Sequence, residues 1–207
     1  MLLLHGMGRS PWIFRDLERA LDQAGYEAVA IAYPSLTRDL DGHAAHLEGL
    51  LNRLEGVSKV SFVTHSLGGI VLREALAREA AWRDRLALGR IVMLAPPNQG
   101  SELAAALDDF PPFHLLAGPS AGQQVKGHNY PALPPGAEVG VIAGGTPDGQ
   151  GFNPLLSANN DGIVTIEETR LAGVKDVLVV SALHTFLASD PEAIAATLTF
   201  LETGIFR

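Results

Sequence analysis

The stretch that most constrains the fold is residues 60–69, where an apolar run meets a serine flanked by small residues. Residues 60–63 predict a buried strand and residues 70–78 predict a helix, with the turn Thr-His-Ser-Leu-Gly-Gly between them. A serine at the apex of a tight strand–turn–helix is the context of a nucleophile elbow, in which the backbone is strained and the hydroxyl projects above the sheet edge. The alternative is that Ser66 serves only as a helix N-cap.

The rest of the chain alternates short apolar runs with segments of helical periodicity. We predict strands at 2–4, 26–33, 58–64, 90–95, 139–144 and 177–181. We predict helices at 11–24, 40–54, 67–78 and 190–201. Apolar strands that alternate with amphipathic helices indicate a mostly parallel sheet with helices on both faces. With no repeat or linker, we expect one domain over residues 1–207.

Residues 96–138 break this alternation. They contain three Pro-Pro pairs and several glycines, and their apolar bulk has no clear period. A loop of this length in a compact domain is usually functional, so it predicts a short lid or one wall of an acyl pocket. An ordinary surface excursion between two strands is the alternative. The apolar residues concerned are Phe110, Phe113, Leu115 and Leu116.

Composition excludes several classes of function. The apolar fraction is 47%, the charged fraction is 18% and the net charge is −8 without acidic blocks, which is typical of a globular enzyme rather than a nucleic-acid-binding protein. The chain has no cysteine, which excludes disulfides, thiolate metal sites and a cysteine nucleophile. Histidines and carboxylates do not cluster at metal-ligand spacing, so we predict no metal and no cofactor.

The N-terminus has neither the basic region nor the long apolar region of a secretory signal, which favours a cytoplasmic protein. No apolar run approaches the roughly 18 residues of a membrane span. The chain begins directly with a predicted strand at residues 2–4, an abrupt start for an enzyme. That start indicates either a missing leading segment or a fold reduced to its minimum.

Acyl transfer by a serine needs a base, an acid that orients the base, and two donors for the oxyanion. Of the seven histidines, His184 lies just after the last predicted strand, from where it can reach over the sheet edge to Ser66. We expect structural roles for His5 and His65, which adjoin the glycine loop and the serine. The remaining four lie on predicted helix or excursion surfaces, where histidines are usually solvated: His43, His46, His114 and His128.

Two aspartates after the fifth predicted strand are candidates for the acid. Asp148 lies in Pro-Asp-Gly, a strong turn signal. Asp161 also looks like a turn residue, but its Asp-Gly leads into Ile163 and Val164, which would fix the loop against the core. We therefore predict Asp161 as the acid, with Asp148 as the alternative.

The oxyanion donors are predicted as two backbone N–H groups. One belongs to Leu67, the residue after the nucleophile. The other belongs to Met7, in the glycine loop that follows the first strand. That loop, residues 5–8, lacks the Gly-Lys-Ser/Thr ending and the Gly-x-Gly-x-x-Gly pattern of phosphate-binding loops. At the same sheet edge, Ser101 predicts a helix N-cap, and Asn98 and Gln99 are candidate substrate contacts.

Taken together, these segments resemble the α/β-hydrolase superfamily, and within it the small bacterial lipases and esterases. The resemblance implies Ser66, Asp161 and His184 as the catalytic triad, with Met7 and Leu67 as oxyanion donors. It rests on the Leu-Leu-His-Gly-Met-Gly start, the Thr64–Gly69 turn, the Asn-Asp-Gly-Ile-Val segment at 160–164, and His184.

The chain departs from the family pattern in three ways. Thr64 replaces the usual glycine or alanine, the first two strands of the full fold are absent, and there is no large helical cap. The resemblance thus implies a three-layer fold with a six-stranded sheet and an open site. Some lipases of this group hold calcium near the acid and histidine loops, but no second carboxylate is placed here to support one.

We therefore expect a serine hydrolase acting on a small-molecule or lipid carboxylic ester through an acyl-enzyme. A thioesterase, amidase or acyltransferase would use the same residues. Two further alternatives are a hydrolase-like protein that binds without chemistry and a module completed by another chain. Neither nucleic acid nor a transmembrane segment is expected, and the oligomeric state is left open.

Overall fold

The computed structural model describes residues 1–108, 118–124 and 129–207, and within them six strands form one sheet in the order β2-β1-β3-β4-β5-β6. All neighbouring strands are parallel, so their carboxyl ends share one edge. This confirms the predicted α/β fold, with a sheet that is parallel throughout. The strands are β1 (Leu2–Leu4), β2 (Val29–Ile31), β3 (Lys59–His65), β4 (Ala87–Leu94), β5 (Val139–Gly144) and β6 (Asp176–Val180).

Helices cover both faces of this sheet. Side chains of a strand point alternately to opposite faces, and β1 illustrates the result. Leu2 and Leu4 join a core with two of the helices, whereas Leu3 joins a second core with two others. The first core includes residues of α2 (Leu40–Asn52) and α3 (Leu67–Ala77). The second core includes residues of α1 (Arg15–Gln23) and α5 (Pro191–Thr203). A short helix, α4 (Glu102–Leu107), follows β4.

Helix boundaries follow some of the predicted signals and not others. Asp190 caps α5 through a 2.9 Å bond from the Ala193 N–H, and Ser101 caps α4 as predicted. Ser10, which directly precedes the predicted helix at 11–24, makes no side-chain capping hydrogen bond among the described residues. The segment after it, Pro11–Phe14, forms a 3-10 turn before α1 begins.

One face of the edge strand β6 is open to solvent. Val177 and Val179 are 51% and 42% exposed, whereas the alternate residues Leu178 and Val180 are buried. β6 is at the edge of the sheet. In the described chain, turns and a short 3-10 segment, Glu167–Thr169, connect β5 to β6, so no helix from this connection covers the exposed face.

Part of the predicted excursion at 96–138 lies outside the described residues, including Phe110, Phe113, Leu115, Leu116, His114 and His128. The lid or pocket wall predicted there stays a prediction, as does the single-domain organisation. No helix within the described ranges combines the length and apolar character needed to cross a membrane.

Candidate active site

Ser66 lies at the apex of the turn from β3 into α3. Its backbone angles are φ 54° and ψ −125°, a region that non-glycine residues rarely occupy and that is strained. The Ser66 N–H donates to the Leu94 carbonyl at 2.9 Å, which anchors the turn to the neighbouring strand. The side chain makes no capping hydrogen bond among the described residues, so Ser66 is not acting as an N-cap.

Two glycines allow the backbone around Ser66 to pack closely. A Cβ added at Gly68 would lie 2.3 Å from the carbonyl oxygen of Leu4, so only glycine lets α3 approach β1 this closely. A Cβ added at Gly6 would lie 2.9 Å from the Cβ of Ser66. The loop after β1 therefore rests directly against the serine.

Asp161 and His184 meet at the same sheet edge. The His184 Nδ1 lies 2.7 Å from Asp161 Oδ2, and both side chains are buried. The other carboxylate oxygen of Asp161 accepts the N–H groups of Ile163 at 3.0 Å and Val164 at 2.8 Å. The backbone carbonyl of Asp161 also accepts the His184 N–H at 2.8 Å, so the two loops are joined at two points.

The alternative acid, Asp148, has a different environment. Its exposed carboxylate accepts the Thr146 hydroxyl at 2.6 Å and the Gln150 N–H at 3.1 Å. Those bonds close a local turn, and the hydroxyl bond is the main reason that the pKa of Asp148 is lowered. Asp148 therefore does not meet His184, whereas Asp161 does.

His65, next to the serine, holds the histidine loop from beneath. Its Nε2 lies 2.9 Å from the backbone carbonyl of His184, and the two rings lie 4.7 Å apart. Because a carbonyl can only accept, Nε2 carries the proton of a neutral ring. Burial, with smaller contributions from the nearby His184 and Arg9, lowers the pKa of His65 to about 3. His65 thus has a structural role, as predicted, and that role is to hold the backbone of His184.

The loop after β1 is held from the other side by the end of β2. The Tyr33 hydroxyl donates to the His5 carbonyl at 2.5 Å, and the two rings stack with centroids 4.3 Å apart. The Ser35 hydroxyl accepts the Gly8 N–H at 3.0 Å. Sequence reasoning missed this support for Met7, although the Tyr-Pro that ends the predicted second strand marks its position.

Three of the five predicted site residues, Met7, Ser66 and His184, line one cavity of about 170 Å³ at the carboxyl edge of the sheet, whereas Asp161 and Leu67 do not line it. Ser66 and His184 share its wall, although no hydrogen bond joins them in the described chain. Catalytic hydrogen bonds are often long before substrate binds. The other lining residues are Gly6, Arg9, His65, Ser101, Leu103, Ala104 and Ile163.

Two other expectations for polar residues are wrong. Asn98, a candidate substrate contact, is 3% exposed, and its side chain bonds to Arg73 and to the Thr169 carbonyl instead. His43, expected in solvent, is buried beside Tyr33, with ring centroids 5.2 Å apart. Among the described residues, no group of three or more histidine, cysteine or acidic side chains is placed to hold a metal ion.

A family model matches the first half of the sequence. Residues 1–108 match the model of a family described as a domain of unknown function, DUF7379. No curated protein matches the chain.

Solved structures resemble the chain more widely. The mature form of the lipase BlEst2 from Bacillus licheniformis has a TM-score of 0.76 at 20% identity, over 98% of this chain and 90% of its own. Phospholipase PlaB from Legionella pneumophila has a TM-score of 0.71 at 17% identity over 99% of this chain, which spans only 59% of that protein. The methylesterase MES16 from Arabidopsis has a TM-score of 0.60 at 18% identity, covering 97% and 98%. These likenesses show that the chain has the α/β-hydrolase fold.

Proposed function

We propose that this chain, which belongs to the DUF7379 family of domains of unknown function, is a serine hydrolase that cleaves carboxylic esters. One observation carries the proposal. A serine in a strained turn shares a cavity with a buried histidine whose Nδ1 is bonded to a buried aspartate. A nucleophile, a base and an orienting acid are the three parts that acyl transfer by serine requires.

In this proposal His184 is the general base. Its Nδ1–H donates to Asp161, which leaves Nε2 unprotonated and able to accept a proton from the Ser66 hydroxyl. The Ser66 Oγ attacks the ester carbonyl as that proton moves to His184. The imidazolium then gives the proton to the leaving alcohol, and an acyl-enzyme remains. Water, deprotonated by His184, attacks the acyl group and releases the acid and the free serine.

The developing oxyanion would be stabilised by the N–H groups of Leu67 and Met7. Leu67 is the first residue of α3, and the first N–H groups of a helix have no acceptor within the helix. Met7 lies in the loop that Gly6 allows to approach Ser66 and that Tyr33 holds from behind. Preorganised donors of this kind each contribute about 10²–10³-fold to turnover in other hydrolases.

The cavity supports an ester of modest acyl length. Beyond the polar residues near Ser66, its walls are apolar and come from Leu103, Ala104 and Ile163. The structural neighbours include a lipase, a phospholipase and a methylesterase, which supports ester cleavage without indicating one substrate.

Hydrolysis of 4-nitrophenyl esters from acetate to decanoate tests the proposal. We expect turnover by the wild-type protein and a loss of at least about 10³-fold in Ser66→Ala. Ser61→Ala is the matched control, because Ser61 lies on β3 before the turn and does not line the cavity. Ester binding without turnover in the wild type would instead favour a protein that binds without chemistry.

A further inference from the structure

Arg9 lies at the mouth of the cavity that contains Ser66 and His184. Its Nη2 donates to the hydroxyl of Thr185 at 2.8 Å, and Thr185 directly follows His184. The loop after β1 and the loop of the candidate base are thus tied by this side chain. This hydrogen bond places the exposed guanidinium beside the site.

The charge of Arg9 has no carboxylate partner among the described residues, where its side chain bonds to a neutral hydroxyl. Some exposed or half-exposed arginines, such as Arg78 and Arg90, are paired with carboxylates, and others, such as Arg85, bond to backbone carbonyls. Arg9 differs from these in its position, because its charge lines the cavity that contains Ser66 and His184. A guanidinium has five N–H donors, so most of those of Arg9 remain available for a planar oxyanion.

This cation also acts on the site electrostatically. It is one of the charges that lower the pKa of His65, which lines the same cavity, although burial is the larger cause. In the proposed reaction His184 becomes an imidazolium as Ser66 attacks, and a fixed positive charge nearby disfavours that state. An anion bound to Arg9 would remove this penalty. In a chain of net charge −8, an unpaired cation at the site therefore points to a negatively charged ligand.

We propose that Arg9 binds a carboxylate or phosphate carried by the ester substrate, and that the site selects anionic esters. This inference rests on the proposed ester hydrolysis and adds a substrate class to it. The bound anion both orients the ester over Ser66 and offsets the repulsion between Arg9 and the imidazolium of His184.

Matched pairs of esters test the proposal. The first pair is 4-nitrophenyl pentanoate and mono-4-nitrophenyl glutarate, which have the same acyl length and differ by one carboxylate. The second pair is the monobutanoyl ester of glycerol and that of glycerol 3-phosphate. The ratio of kcat/KM within each pair reports the preference for an anion, and the two pairs distinguish a carboxylate on the acyl side from a phosphate on the alcohol side.

We expect the wild type to prefer the anionic member of at least one pair, and Arg9→Gln to lower that ratio by about 10–100-fold, as loss of a charge-assisted bond at a partly exposed site would. Arg9→Gln should lower the rate for the anionic ester more than the rate for its neutral partner, because only the anionic ester loses a bond between opposite charges. A purely structural role for Arg9 would lower both rates together. Arg9→Lys should keep part of the preference.

Arg53→Gln is the control for overall charge, because Arg53 follows α2 at the opposite end of the sheet and is exposed. It should leave both ratios at their wild-type values. If the wild type shows no preference for either anionic ester, or if Arg9→Gln leaves the ratio unchanged, the inference about Arg9 is wrong while ester hydrolysis stands. If the wild type hydrolyses none of the four esters and Ser66 is not labelled by a fluorophosphonate, both proposals fail.

Discussion

Both carboxylate oxygens of Asp161 make hydrogen bonds. One oxygen bonds to the Nδ1 of His184, and the other accepts two backbone N–H groups of its own loop. The backbone bonds fix the carboxylate, and the carboxylate in turn fixes which nitrogen of His184 carries the proton. The part of Asp161 in the proposed mechanism is therefore to orient the base and stabilise its charged form.

Asp161→Asn should lower kcat by about 10³–10⁴-fold, because an amide N–H facing His184 would favour the wrong tautomer of the ring. Asp148→Asn is the control, since that carboxylate closes an exposed local turn. Its kcat should stay within a few-fold of the wild type. Steady-state kinetics on one 4-nitrophenyl ester measures both, and the opposite pattern would show that the acid is misplaced.

The burial of His65 makes the stability of the protein depend on pH. Its ring is buried in neutral form, and burial lowers its pKa to about 3. In the unfolded chain the same ring has a pKa of about 6.5. Below pH 6.5 the unfolded state therefore takes up a proton that the folded state does not, so the free energy of unfolding falls as the pH falls towards 3.

His65→Gln should flatten this pH dependence, because glutamine does not titrate and its amide can still donate to the His184 carbonyl. Between pH 6 and pH 4 the slope of unfolding free energy against pH should be shallower than in the wild type by up to about 1.4 kcal/mol per pH unit. Urea unfolding at three pH values measures the slopes. Other groups with shifted pKa values contribute equally to both proteins, so parallel curves would contradict the buried neutral state.

The sequence distinguished some of these residues and missed the role of others. The sequence favours Asp161 over Asp148 because Ile163 and Val164 follow Asp161, and the Asp161 carboxylate accepts the N–H groups of those two residues. Arg9 and Tyr33 act through contacts to segments far away in the chain, Thr185 and His5. No local pattern predicts such contacts.

At the scale of elements, the closest approach at the site is between α3 and β1. Gly68 in the first turn of α3 lies against the carbonyl of Leu4, and this contact sets the distance between helix and strand. Since that contact is with backbone rather than with a movable side chain, a larger residue cannot be accommodated by a rotamer change.

Gly68→Ala should destabilise the protein by about 2 kcal/mol or more, since the new methyl group would lie 2.3 Å from the Leu4 oxygen. Gly49→Ala should do the opposite. Gly49 is in the interior of α2, where an added Cβ meets its nearest atom, Arg53 Nη1, at 3.5 Å. Alanine there should stabilise by about 0.5–1 kcal/mol. Urea midpoints decide the matter, and similar midpoints for the two variants would contradict the close packing at Gly68.

Strands in the middle of the sheet were predicted with nearly correct bounds, and the edge strand β2 was not. The apolar run at 26–33 predicted a longer strand than Val29–Ile31, because an edge strand pairs on one side only and pairing there stops with the end of β1.

The prediction that His43 lies in solvent was wrong for a reason that the sequence contains. His43 lies three positions after Leu40 and four before Leu47, on the buried stripe of α2.

At the scale of the whole molecule, the parallel sheet brings the site together. Ser66 follows β3, Asp161 lies between β5 and β6, and His184 follows β6, yet all three reach one edge because every strand points the same way. The sequence order of these residues predicted this meeting. The sequence order does not predict the open face of β6, because that face is open only since residues 145–175 form turns and a 3-10 segment instead of a helix.

The most direct test of the account is intact-mass spectrometry after incubation with a fluorophosphonate, which reacts with activated serines. We expect one adduct on the wild-type protein, mapped to Ser66 by peptide analysis, retained in Ser61→Ala and lost in Ser66→Ala. An adduct that persists in Ser66→Ala, or a folded wild-type protein that forms none, would contradict the assignment of Ser66 as an activated nucleophile.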